Sequence, residues 1–277
     1  MSTAVFVIVL CAALSNALWN AIVKASPDKL GSTMLVTLAG AVVALLILPW
    51  LEPPARESWP YLGISTLLQT VYFVFVANAY RVADMSQVYP IMRGTAPLVV
   101  ALVSLAWIGE PMPAMAWVGI AVICLGIFGM AADARRANRR GLVYALSAAA
   151  VIASFTIIDG LGVRRSGAPL SYTLWIFVLT GPPFLVWALL ARRRDFGSYL
   201  AAHWRLGLVG GIATIISYAL TLWAMTQAPV AMVAALRETA ILFGVAISAL
   251  VLREHVTRAR LMAVAIIAAG AALLRLA

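Results

Sequence analysis

Arg93 and Arg237 are the residues from which any chemistry of this chain must start. Each stands inside an apolar, helix-forming run, YPIMRGTAPLVV for the first and MVAALRETAILF for the second. A guanidinium held there takes a carboxylate, phosphate or phosphonate through two parallel N–H bonds. At the centre of a membrane helix an arginine costs about 2.5–3.5 kcal/mol, so it faces the bundle interior or a wet cavity. Glu238 and Asp159 are the acidic residues set well inside such runs. Low dielectric penalises a carboxylate and a neighbouring guanidinium restores it, a balance suited to proton coupling. The competing reading is an internal ion pair, Arg93 with Asp159 or Glu238, that locks two helices together. Arg237 and Glu238 are adjacent, about 100° apart on a helix, so one can face a cavity while the other faces a neighbour.

The elements that position these groups follow from composition. The 277 residues are 64% hydrophobic and 11% charged, against about 25% charged in a soluble domain. That much apolar surface belongs in a lipid bilayer, where only helices or closed barrels satisfy the backbone. The runs are long rather than alternating, which gives an all-α membrane protein of ten transmembrane helices. They fall at roughly 3–23, 32–50, 60–80, 86–108, 112–131, 141–161, 171–191, 205–226, 230–252 and 257–275. The opening MSTAVFVIVL lacks a basic start and reads as a retained span.

A shift of 144 residues lays Arg93–Gly126 on Arg237–Gly270 without gaps. Arg93 meets Arg237, Thr95 meets Thr239, Ser104 meets Ser248, Glu110 meets Glu254 and Gly126 meets Gly270. The chain therefore divides into a five-helix repeat over 1–131, a linker loop over 132–140 and a second five-helix repeat over 141–277. Five is odd, so the second repeat enters the membrane from the opposite side. Inverted repeats of this kind serve secondary transporters, with a site at the repeat interface.

The net charge of +10 sits in short loops and forms no patch with interleaved aromatics, which argues against nucleic acid. Fourteen Lys and Arg fall on the side of the 132–140 loop, while Arg56, Arg164, Arg165 and Arg275 fall on the other. By the positive-inside rule that loop is cytoplasmic and both termini lie outside. Cys11 and Cys124 fall inside spans, so neither a disulfide framework nor a metal site is expected. No HExxH, Ser-His-Asp set or GxxxxGK[ST] occurs, which points away from an enzyme, a cofactor or ATP-driven pumping.

Other polar and aromatic residues inside spans include Asn16, Gln69, Asn78, Tyr80, Tyr218 and Trp223. Trp19 and Asn20, together with Tyr72 and Tyr89, are the better candidates for substrate contact. In the fourth span Pro90 and Pro97 free the carbonyls of Ser86 and Arg93, so a kink or opening is expected beside the arginine. TGPPF at 180–184 predicts a packing kink in the seventh span. Glu110 and Glu254 read as interfacial caps or turn residues.

The stretches RGTAPLVVALVSLAWIGEPMPAMAWVGIAVICLGIFGM and RETAILFGVAISALVLREHVTRARLMAVAIIAAGAALL resemble the drug/metabolite transporter superfamily, EamA type, over nearly the whole chain. The resemblance implies export of amino acids or other metabolites, with a cavity between spans 1, 3, 4 and 6, 8, 9. Many members lack a central arginine in the fourth and ninth spans, and this departure points to an anionic or zwitterionic substrate. The expectation is a multi-pass transporter of the cell (inner) membrane, whose partners are a small-molecule metabolite and the bilayer, and which acts as a monomer or homodimer. The alternatives are an exporter of apolar or cationic compounds with structural arginines, or an intramembrane accessory subunit or enzyme.

Overall fold

The structure is a computed structural model describing residues 1–83, 85–131, 139–191, 196–251, 253 and 255–277. The first repeat holds α1 (Thr3–Ala25), α2 (Lys29–Ile47), α3 (Trp59–Val82), α4 (Met85–Val103) and α5 (Ala114–Ala131). The second holds α6 (Arg139–Ser166), α7 (Pro169–Ala191), α8 (Phe196–Gln227), α9 (Val230–Arg237), α10 (Ala240–Leu250) and α11 (Arg258–Leu276). Among the described residues nine helical stretches are long and apolar enough to cross a membrane, and a shorter apolar helix covers Ala114–Met130. Side-chain caps start several of them. Ser2 Oγ accepts from Val5 N at 3.3 Å and Asp28 Oδ1 accepts from Gly31 N at 3.0 Å, satisfying donors that a helix start leaves unpaired.

The helices pack mainly across the two repeats, and the pairings come in exchanged sets. α3 packs on α6 as α8 packs on α1, α2 on α8 as α7 on α3, and α4 on α6 as α10 on α1, while α5 and α11 pair with each other. Lipid gives helices little hydrophobic reason to associate, so close van der Waals approach must supply it. Small residues allow that approach. A Cβ added at Gly270 of α11 would lie 2.8 Å from the Ile123 nitrogen and 2.9 Å from the Gly119 oxygen of α5. At Gly211 of α8 it would lie 2.6 Å from the Gly40 nitrogen of α2. Arg275 Nη1 donates to the Met1 carbonyl at 3.1 Å, holding both ends of the chain at one end of the bundle.

Two expectations about helix continuity change. The ninth span is not one helix over 230–252. It divides after Arg237, where Glu238 N bonds Ala235 O, Thr239 N bonds Leu236 O and Ile241 N bonds Glu238 O, each at 3.0 Å. These bonds reach back three residues instead of four, tightening the turn, and Thr239 Oγ1 also donates to Leu236 O at 2.7 Å. Such a hydroxyl competes with the helical ladder and bends it. The fourth span, by contrast, stays helical through Pro90 and Pro97, so it does not open beside Arg93. The seventh also stays helical through Pro182 and Pro183, which is compatible with the packing kink expected there. A proline removes one bond, and packing against neighbouring helices keeps the rest of the ladder in place. Glu254 and most of the 132–140 linker lie outside the described residues, as does the side chain of Tyr80.

Candidate functional site

Two of the intramembrane charges, Arg93 and Glu238, meet directly, and Arg237 stands beside Glu238 in the chain. α4 brings Arg93 and the end of α9 brings Arg237 and Glu238. Arg93 Nε lies 2.9 Å from Glu238 Oε2. This is an ion pair by distance, but the alignment falls short of a hydrogen bond for both atoms. Glu238 is 2% exposed and Arg237 9% exposed. Arg237 Nε is buried without a hydrogen-bond partner among the described residues, and no ion pair of Arg237 is found there. Its neighbour in sequence has turned to α4, as the angular separation of adjacent helical residues allows.

Asp159 of α6 forms the second half of the site. Its side chain is fully buried and is held by neutral donors. Tyr218 Oη of α8 donates to Oδ2 at 2.5 Å, Tyr172 Oη of α7 donates to Oδ1 at 3.2 Å, and Gln69 Nε2 of α3 stands 3.5 Å from Oδ2. Gln69 also donates to Ser65 Oγ at 3.0 Å. Hydrogen bonds replace the water a buried carboxylate has lost. Room for Tyr172 comes from Gly162, where a Cβ would lie 2.2 Å from the phenol oxygen. The charge of Arg237 reaches both Asp159 and Tyr218.

Tyr72 and Tyr89 join the arginine side. Tyr72 of α3 lies within electrostatic reach of Arg93, Arg237, Glu238 and Tyr89, and its ring meets Phe155 edge-on with centroids 6.0 Å apart. Tyr89 lies one turn before Arg93 on α4, within reach of its charge. Six of the eight candidate residues are therefore brought together: Arg93, Arg237, Tyr72, Tyr89, Glu238 and Asp159. Trp19 and Asn20 are not. Trp19 Nε1 donates to Asn16 Oδ1 at 3.0 Å and Asn20 Nδ2 to the Asn16 carbonyl at 2.7 Å, so their polar contacts stay within α1. The side chains gathered here come from α3, α4, α6, α7, α8 and α9. Tyr172 was not anticipated. The available signal was that a membrane aspartate requires donors, and Tyr172 is the first large hydroxyl beyond the short turn after α6.

Residues 3–132 and 139–276 match the EamA-like transporter family. The chain belongs to that family. It is thus a multi-pass membrane transporter of the drug/metabolite superfamily, built from two five-span repeats. No protein of curated function matches it. A solved structure described only as "Crystal structure of protein" is similar over 100% of this chain and 98% of that one, with 18% identity and a TM-score of 0.76. That likeness shows the fold alone.

Proposed function

We propose that this EamA-like protein is a secondary transporter, working as an exporter, for a small metabolite carrying a carboxylate, phosphate or phosphonate group. The observation that carries the reading is Arg237, a guanidinium 9% exposed whose Nε has no partner among the described residues. A buried charge left without a partner costs several kcal/mol, roughly, so a working protein needs something to meet it. An anionic group of the substrate meets it by two parallel N–H bonds. Arg93 is already engaged by Glu238 at 2.9 Å and serves to fix that carboxylate and shape the site. Tyr72 and Tyr89 line the arginine side and contact the remainder of the substrate. Trp19 and Asn20 join them only when α1 turns towards the site.

Asp159 carries the coupling proton in this reading. Of the two buried carboxyls it is the one bound by phenols and an amide rather than by a guanidinium, so its proton can come and go without breaking an ion pair. The two repeats rock about the site, which opens in turn to the cytoplasm and to the outside of the inner membrane. Transport, and not catalysis, is the activity. The rival reading, an exporter of apolar or cationic compounds with structural arginines, is supported at Arg93 by its pairing with Glu238 and is not supported at Arg237.

The test is thermal stability in mild detergent against monocarboxylates, dicarboxylates, inorganic phosphate and phosphonates, with organic cations as controls. A ligand that binds only the folded state raises the melting temperature by mass action. An anion that stabilises the wild type and not Arg237→Gln supports the proposal. Stabilisation by cations alone, or equal anion stabilisation of both proteins, overturns it.

A further inference from the structure

Glu110 connects the two repeats at one end of the bundle. The helix leading to it leaves α4 through a wide turn over Ser104–Ile108 and stops at Gly109, whose φ of 69° is left-handed. That conformation is open to glycine at little cost, and it directs the next residue across to the second repeat. There Glu110 makes two contacts. Its Oε1 pairs with Arg164 Nη1 near the end of α6, and its Oε2 accepts from the backbone nitrogen of Val230, the first residue of α9, at 3.0 Å.

Arg164 is itself anchored within the second repeat. Its Nε donates to the Met225 carbonyl at 2.7 Å and its Nη2 to the Ala228 carbonyl at 2.9 Å. One side chain thus holds the end of α6 to the turn between α8 and α9, and the carboxylate of the first repeat closes onto that fixed fork. The carboxylate is 13% exposed and the guanidinium 29% exposed, so these charged bonds are partly sheltered from water. Gly160 of α6 completes the seat, since a Cβ there would lie 2.7 Å from the Val230 side chain.

α9 joins this contact to the candidate site. Its first residue is held by Glu110 and its last is Arg237. Eight residues at about 1.5 Å each make a rod of about 12 Å, ended by the tightened turn at Glu238–Thr239. A short rigid helix with a bend behind it can tilt as one piece. At the opposite end of the bundle Lys24, in the last turn of α1, donates to Ser248 Oγ of α10 at 3.0 Å. Arg164 likewise lies in the last turn of the first helix of its repeat.

We propose that the Glu110 carboxylate, seated on Arg164 and the start of α9, is the bolt that closes one end of the transport path, and that α9 carries its release to Arg237. This rests on the transporter reading with rocking repeats, but not on the charge of the substrate. Arg164 stays with the second repeat throughout, and Glu110 leaves and returns.

The experiment uses the full chain in lipid nanodiscs, where both faces meet a membrane-impermeant maleimide. One reporter is Ala234→Cys, 4% exposed and one turn beyond Val230 on the same face of α9. The other is Ala21→Cys on α1, three residues before Lys24. Labelling is measured above that of the parent, which keeps Cys11 and Cys124. Glu110→Gln is expected to raise labelling of A234C by about tenfold, the factor for losing one charged contact of about 1.4 kcal/mol, without raising that of A21C. Arg164→Lys, which keeps the charge and loses the fork, is expected to give a smaller rise. If both reporters keep their parent rates, the bolt is refuted. A parallel rise of both means general loosening, which refutes the rocking motion on which the proposal rests.

Discussion

Replacing Arg237 by methionine gives the test in which the proposed role and a structural role differ in sign. Methionine has a similar volume and no charge. Replacing a whole buried ion pair by apolar groups of similar volume is often neutral or stabilising by about 1–4 kcal/mol, and the same desolvation penalty is recovered when a single poorly compensated charge is removed. Arg237 Nε has no hydrogen-bond partner among the described residues, so its burial is poorly compensated in the empty protein. Two losses oppose the gain, since the guanidinium also attracts Glu238 and Asp159 from a distance. Glu238 retains Arg93 at 2.9 Å, and Asp159 retains its two phenols. The net gain is therefore set at about 1–2 kcal/mol, a rise of roughly 2–8 °C in melting temperature. Arg93→Met moves the other way, because Glu238 then loses its ion-pair partner. The assay is thermal unfolding of both variants in mild detergent without ligand, then with a saturating anion. At one hundred times its dissociation constant a ligand adds about 2.7 kcal/mol to the wild type, and that increment should vanish in Arg237→Met. The reasoning is refuted if Arg237→Met melts earlier than wild type by as much as Arg93→Met does.

Asp159→Asn should fold and still exchange substrate between reconstituted vesicles, but net transport should no longer respond to an imposed pH gradient; an undiminished response removes Asp159 from coupling. Gly270→Ala should cost about 1–3 kcal/mol by overpacking, because its Cβ would meet the α5 backbone at 2.8–2.9 Å. Gly129→Ala on α5, with open space around it, should gain about 0.4–1 kcal/mol by restricting the unfolded chain; equal melting temperatures for the two would contradict the packing of α5 on α11. Arg253 holds a left-handed φ of 54° at the place that Gly109 occupies in the first repeat. Arg253→Gly should therefore stabilise by about 1 kcal/mol and Gly109→Ala destabilise by a similar amount, both read from melting curves.

Much of the fold was legible without coordinates because the signals are local or additive. Hydropathy sums along the chain, so the spans and the membrane class follow from runs of apolar residues whatever their partners. A duplication is visible as a fixed shift, and an arginine inside an apolar run is conspicuous wherever it later points. These determined the two repeats, the helical architecture and the prominence of Arg93, Arg237, Glu238 and Asp159. The tertiary structure decided who meets whom. Arg93 takes Glu238 and not Asp159, Arg237 makes no ion pair among the described residues, and Asp159 collects Tyr172 and Tyr218. Each outcome depends on how a helix is rotated about its axis. In a bilayer the lipid face and the packed face are both apolar, so the residue pattern carries little record of that rotation. Glycines such as Gly162 matter through the space they leave for a side chain on another helix, which no single segment reveals. The break after Arg237 went unseen for a related reason. Proline marks a break in sequence by a missing donor, whereas the Glu238–Thr239 turn carries a local hydroxyl bond that many continuous helices also make and an ion pair with α4 that exists only once the helices are assembled.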